Sequence, residues 1–150
     1  MFKFNNNPII FSAQSSVLYG YVGNNTANFV YQHHKIEAIT INTVTLAAHP
    51  GYGNFFAQKL PDCELENILN DFLKLKLESK IFAIQTGYLG NSNQVKKLQN
   101  FIKKLLINNN KIVYFLDPVF GDNNKIYVDE EIIKEIKKYL LPLANFIKPN

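Results

Sequence analysis

At 150 residues and 47% apolar, the chain is long enough to bury one core, and its composition excludes intrinsic disorder. No apolar run approaches the roughly 18 residues of a spanning helix, the start MFKFNNNPII lacks the apolar run and cleavage site of a secretory leader, and the single Cys63 excludes an intrachain disulfide. The net charge of +4 comes from lysine alone, without one arginine for bidentate phosphate or guanine contacts, so it reads as a solvated surface and not as a nucleic-acid interface. A cytoplasmic protein with no membrane partner is the expectation.

Residues 8–14 read as a short apolar strand that ends in a Ser-Ser turn and a loop, SSVLYGYVGNN. A helix is expected over 26–34, with Ala27, Val30 and Tyr31 on one face, and a β-branched strand over 36–44. The segment 45–61 reads as irregular, broken by Pro50, Gly51, Gly53 and Pro61. Asp62 is placed to cap a helix carrying Leu65, Ile68, Leu69, Phe72 and Leu73, and 80–85 reads as another strand. Ser92 is placed to cap the clearest helix, with Val95, Leu98, Phe101, Ile102, Leu105 and Leu106 at helical spacing. A strand over 111–116 runs into Asp117-Pro118. Asp129 then opens a helix with Ile132, Ile133, Ile136, Tyr139 and Leu140, and a last apolar stretch covers 144–147.

This alternation predicts a single α/β domain, a Rossmann-like three-layer α/β/α arrangement around a mostly parallel sheet. Loops that follow strand ends, 15–25, 47–53, 86–90 and 117–124, should then open on one edge of the sheet and share a crevice. Asp117 and Asp122, just past a strand end, suit a metal or a metal-bound phosphate; the competing reading is a turn start and a solvated loop. Gly20-Tyr21-Val22-Gly23 could present backbone N–H groups to a phosphate or could be a plain turn, and it matches neither dinucleotide-binding nor P-loop patterns. His49, in a glycine-bearing loop, is better set for ligand contact than His33 and His34 on a helix. Cys63 reads as inert, and neither a zinc spacing nor a Gly-x-Ser-x-Gly elbow is present. A phospho-acceptor receiver domain is set aside because Ser12 to Ser16 stand where its acidic residues would be needed.

Ser12-Ala13-Gln14-Ser15-Ser16-Val17 and Gly20-Tyr21-Val22-Gly23-Asn24 resemble the opening of pyridoxal kinases, members of the ribokinase-like superfamily. The resemblance continues in order through Ile41-Asn42-Thr43-Val44, His49 with Gly51-Tyr52-Gly53, Thr86-Gly87-Tyr88-Leu89-Gly90 and Asp117-Pro118-Val119-Phe120-Gly121-Asp122. It closes on Ile126-Tyr127-Val128 and Leu141-Pro142-Leu143-Ala144 ahead of Pro149-Asn150. What it implies is transfer of the ATP γ-phosphoryl group to the 5′-hydroxymethyl of pyridoxal, with Mg²⁺ and optionally a monovalent cation. Ser15, His49, Pro50, Gly51 and Tyr88 would then contact pyridoxal or a related B6 vitamer. Asp117 and Lys148 would serve the nucleotide, and Asp117, Asp122 and Tyr127 the metal side. Such kinases typically form homodimers.

Two departures from the family pattern stand out: Pro50 and Lys148 each occupy a place where many members carry threonine. The family also runs to nearly twice this length, and its second half supplies most of the nucleotide site and the catalytic aspartate. By resemblance the chain is therefore the amino-terminal part, residues 1–150, of a single kinase domain, truncated and with no catalytic residue of its own. Its last strand should lie at an uncovered edge. Phosphorylation of hydroxymethylpyrimidine, or a non-catalytic remnant that binds pyridoxal or a partner, are the alternatives.

Overall fold

The computed structural model describes residues 7–122 and 125–149. The first six residues, Asn123 and Asn124 of the expected 117–124 loop, and Asn150 lie outside them. In chain order the elements are β1 (Ile9–Tyr19), α1 (Gly23–His33), β2 (Glu37–Ala48), β3 (Ala57–Lys59) and α2 (Asp62–Lys74). Then follow β4 (Ile81–Thr86), α3 (Ser92–Asn108), β5 (Val113–Leu116), the short hairpin β6 (Gly121–Asp122) and β7 (Lys125–Ile126), α4 (Glu130–Glu135) and β8 (Phe146–Ile147). A π-helical turn, Ile136–Leu140, prolongs α4.

The main sheet has the order β3-β2-β1-β4-β5-β8. All its pairings are parallel except β2 with β3. Successive strand residues point to opposite faces, and β1 shows what each face carries. Phe11 packs with Phe72 of α2 and Phe101 of α3, ring centroids 5.9 and 4.8 Å away. Its neighbour Ser12 instead donates to Asn24 Oδ1 of α1 at 2.8 Å. Helices therefore cover both faces, as the alternation predicts. The larger core lies on the Phe11 side, where Val95, Leu98, Phe101, Ile102 and Leu105 of α3 are all buried, as their spacing predicts. β8 forms one edge of the described sheet, and Phe115 and Phe146 stack there, 5.0 Å apart, on an exposed face.

Several local expectations are corrected. β1 does not end in a turn at Ser15-Ser16 but continues to Tyr19, pairing with β2 as far as Ala48. The side chain of Asn25 makes this possible by standing in for a neighbouring strand: Val17 N–H donates to Asn25 Oδ1 (3.0 Å), and Asn25 Nδ2 donates to Val17 O (2.8 Å). β2 likewise outlasts residue 44, and β3 lies within the stretch read as irregular. α1 starts at Gly23, buries Asn24 and Tyr31, and leaves Val30 exposed.

Two caps also differ from expectation. Asp62 makes no capping bond; its carboxylate accepts from Asn91 Nδ2 (3.0 Å) and Asn93 Nδ2 (2.8 Å), which ties α2 to the start of α3. The cap of α3 is Asn91, not Ser92, accepting from Gln94 N–H at 2.8 Å. Asp129 does precede α4 at the cap position, without a side-chain capping bond.

Candidate active site

Because β1, β2, β4, β5 and β8 run parallel, their carboxyl ends reach one edge, and the backbone ties each exit to its neighbour. His49 N–H donates to Tyr19 O (3.3 Å), Gly87 N–H to Ala13 O (3.0 Å), Asp117 N–H to Thr86 O (2.9 Å) and Lys148 N–H to Leu116 O (3.0 Å). Four of the residues singled out in the sequence, or their immediate neighbours, thus sit where the ladder of one strand pair runs out. The strand-end loops therefore open on one edge, as the alternation predicts, and the cavity found there is lined by residues of two of them, 15–25 and 47–53.

The residues fall into two groups. In the first, Pro50, Gly51 and Tyr52 form a 3-10 turn capped by His49, whose Nδ1 accepts from Gly51 N–H at 3.1 Å. The imidazole thereby gains a fixed ring orientation with Nδ1 as the acceptor. Tyr52 leans on Tyr19, ring centroids 5.4 Å apart. Tyr21, Val22, His49, Gly51 and Tyr52 line a cavity of about 330 Å³. Ser15 is buried, against Gly23. A second, shallow cavity of similar size, lined by Asn7, Gln32, Lys35, Ile36 and Glu37, includes the first residue of β2 and lies away from these groups.

The second group surrounds Asp117. Tyr88 and Tyr127 face each other, centroids 6.4 Å apart. Burial, and then the charge of Asp129, push the Tyr88 hydroxyl above the usual phenol range. Burial raises Tyr127 too, followed by the charges of Asp122, Tyr88 and Asp117. Asp117 itself is half-buried. Burial lifts its carboxyl above the usual aspartate range, and the nearby Lys148 ammonium pulls it back. Its Oδ1 is buried without a hydrogen-bond partner. A buried carboxylate oxygen without a hydrogen-bond partner can take a cation.

Among the described residues no cluster of three or more His, Cys, Asp or Glu side chains is assembled as a metal cage. Asp117 could hold a cation as one of the one or two carboxylates that, with phosphate oxygens and waters, commonly bind Mg²⁺. His33, His34 and Cys63 are exposed on helices or helix ends, away from these groups.

The sequence reading missed the polar residues that hold the site from beneath. Gln14 Nε2 donates to Ser12 Oγ (2.9 Å), and a Cβ on Gly87 would come 2.7 Å from Gln14 Oε1. The Tyr31 hydroxyl donates to Gln85 Oε1. Thr43 Oγ1 donates to Tyr88 O at 2.6 Å, and Gln94 Oε1 accepts from Gly90 N–H at 2.8 Å. Ser12, Gln14 and Thr43 lie inside motifs quoted for the resemblance, but their bonding was not foreseen; for Gln85 and Gln94 the signal was a polar residue within an apolar strand or helix stripe.

No family model matches the chain. Individual proteins do. A pyridoxal kinase of Dictyostelium discoideum is 34% identical over 143 residues, 95% of this chain and 47% of that protein. Human pyridoxal kinase is 33% identical over 145 residues, 94% of this chain and 46% of the relative. Among solved structures, pyridoxal kinase from Leishmania donovani in complex with ADP and pyridoxamine superposes with a TM-score of 0.88 at 31% identity, covering 95% of this chain and 51% of the other. No helix among the described residues is long and apolar enough to cross a membrane. The chain spans about half the length of the proteins it matches. In sequence and in fold it is a relative of the pyridoxal kinases, built on the ribokinase-like α/β/α architecture.

Proposed function

We propose that these residues form the amino-terminal, vitamin-binding side of a pyridoxal kinase domain, the whole of which transfers the ATP γ-phosphoryl group to the 5′-hydroxymethyl oxygen of pyridoxal. The observation that carries this reading is the convergence at one sheet edge of the Ser15 and His49 group with the Asp117 group, in a chain whose relatives include a kinase solved with ADP and pyridoxamine. Ser15, His49, Pro50, Gly51 and Tyr88 hold the vitamin, with the cavity beside His49 and Tyr52 as its near wall. Pro50 has neither a hydroxyl nor an N–H to donate, and its carbonyl accepts from Gly53 N–H at 3.1 Å, so it would contribute shape to the vitamin's pocket.

Asp117 and Lys148 face the nucleotide, and Asp117, Asp122 and Tyr127 form the metal side. Mg²⁺, when bound, supplies neutralisation of phosphate charge, the main requirement of phosphoryl transfer. The chain's own part is placement. Asp117 offers its orphaned oxygen to the cation, and Lys148 offers a point charge to phosphate. Tyr88 and Tyr127 close the space between vitamin and metal and exclude water. Neither Asp117 nor Asp122 is assigned as the base that takes the proton of the attacking hydroxyl. No residue of these 150 is proposed for that role, and binding without turnover is the expectation for the 150 residues by themselves. A cytoplasmic location and a homodimeric whole enzyme belong to the same proposal.

The experiment is a pyridoxal titration of the purified chain, followed by an assay for pyridoxal 5′-phosphate with MgATP. Saturable pyridoxal binding without product supports the reading. Absence of binding by a folded chain contradicts it.

A further inference from the structure

The β1–β2 ladder breaks at the level of Ser15. Gln14 pairs with Asn42 and Ser16 with Thr45, so two residues of β2, Thr43 and Val44, stand opposite the single Ser15. Such a bulge leaves carbonyl groups without their ladder partners, and inside a core these must be met by something else. Asn24, the second residue of α1 and 2% exposed, meets them. Its Nδ2 donates to Ile41 O (2.9 Å), Gln14 O (3.2 Å) and Asn42 Oδ1 (2.8 Å), while its Oδ1 accepts from Ser12 Oγ (2.8 Å). Two hydrogens serve three acceptors, so one bond is shared.

The bulge turns Thr43 toward the loop that carries Tyr88. Thr43 is fully buried, and its hydroxyl donates to Tyr88 O at 2.6 Å. Its carbonyl accepts from Gln94 Nε2 (3.0 Å), and the same Gln94 side chain accepts from Gly90 N–H (2.8 Å). Gly90 in turn presses on Val44, whose Cγ2 would lie 2.8 Å from a Cβ at that position. The loop from Gly87 to Gly90 is thus registered on the two bulged residues, and Ser15 is the residue facing them.

We propose that Thr43 is a positioning residue: through the bulge that Asn24 holds open, it sets where Tyr88 stands relative to Ser15, and so fixes the width of the pyridoxal pocket. This rests on the reading of Ser15 and Tyr88 as vitamin contacts. The Thr43 hydroxyl bonds the Tyr88 backbone directly, while Gln94 and the Gly87 N–H to Ala13 O bond hold the two ends of the same loop.

The test uses three substitutions in the whole chain, Thr43→Val, Thr43→Ala and Thr43→Ser, with two readouts besides thermal stability. Amide hydrogen exchange over residues 87–90 reports the loop, and the pyridoxal Kd reports the pocket. Thr43→Val and Thr43→Ala are expected to speed exchange in that loop about tenfold and to weaken pyridoxal binding by a similar factor. Thr43→Ser, which keeps the hydroxyl, is expected to match the parent. Unchanged loop exchange in a folded Thr43→Val chain overturns the proposal, as does failure of both Val and Ala variants to fold, which would make the hydroxyl a folding requirement first. A parent chain that binds no pyridoxal, with loop exchange still responding as expected, would remove the functional reading and leave the Thr43–Tyr88 coupling standing.

Discussion

Gly23 lies directly beneath Ser15: a Cβ at Gly23 would press into the Ser15 carbonyl and come 2.9 Å from its Oγ. Gly23 also holds φ at +57°, a left-handed conformation that costs an ordinary residue about 1–2 kcal/mol. Two independent penalties thus meet at the first residue of α1. Gly23→Ala should lower stability by about 2 kcal/mol or more in urea unfolding and displace Ser15. Pyridoxal binding should weaken in the fraction that stays folded.

Asp117 should show opposing effects on stability and binding. Its carboxyl is raised, chiefly by burial, so the ionised form is less welcome in the fold than in the unfolded chain. The stability it contributes is fully present below the ordinary aspartate pKa of 3.8 and is lost as pH rises through its folded value. At neutral pH, Asp117→Asn should therefore raise the melting temperature slightly. The difference from the parent should shrink as pH falls toward 4. Mg²⁺-dependent nucleotide binding should weaken by about tenfold or more, because the amide keeps one oxygen but loses the carboxylate charge that would hold the cation. Isothermal titration and thermal melts on the same two samples check both.

At the alkaline end the tyrosines decide. Burial raises Tyr114, which also shares a 2.7 Å hydrogen bond with Thr86 Oγ1, and Tyr31, Tyr88 and Tyr127 are raised as well. Their stabilising contribution is intact below the ordinary phenol pKa of 10.0 and is lost above it, as the unfolded chain ionises first. Urea unfolding should show flat stability from pH 8 to about 9.5 and a decline beyond, while phenolate absorbance in the native chain lags that of the unfolded chain.

The core rings give a control that does not touch the site. Phe101 meets both Phe11 and Phe72, centroids 4.8 and 5.8 Å away, and is 2% exposed. Phe101→Ala should cost about 3–5 kcal/mol. Phe101→Leu should cost clearly less and leave pyridoxal affinity unchanged, which denaturation and the same binding titration would measure.

The layers of this fold were readable because they rest on periodicity. The apolar stripe of α3 and the β-branched runs of β2, β4 and β5 point to buried faces, and alternation of strands and helices then places the strand-end loops on one edge. Asp117 and His49 were found by that logic, and Tyr88 through the family resemblance. What stayed hidden depends on partners distant in sequence. Ser15 and Ser16 look like a turn because a strand there needs the amides of Asn24 and Asn25 to complete its hydrogen bonds. Asp62 looks like a cap until Asn91 and Asn93 arrive from α3 to take its oxygens. The same holds for Thr43, whose β-branched side chain reads as ordinary strand composition and whose partner, the Tyr88 carbonyl, lies 45 residues away.

The most direct test of the account is equilibrium titration of the 150-residue chain with pyridoxal, beside Ser15→Ala and His49→Ala, with and without MgATP. One saturable site, weakened about tenfold or more in either variant and yielding no pyridoxal 5′-phosphate, is the expected result. A folded chain that ignores pyridoxal, or one that forms pyridoxal 5′-phosphate by itself, would contradict it.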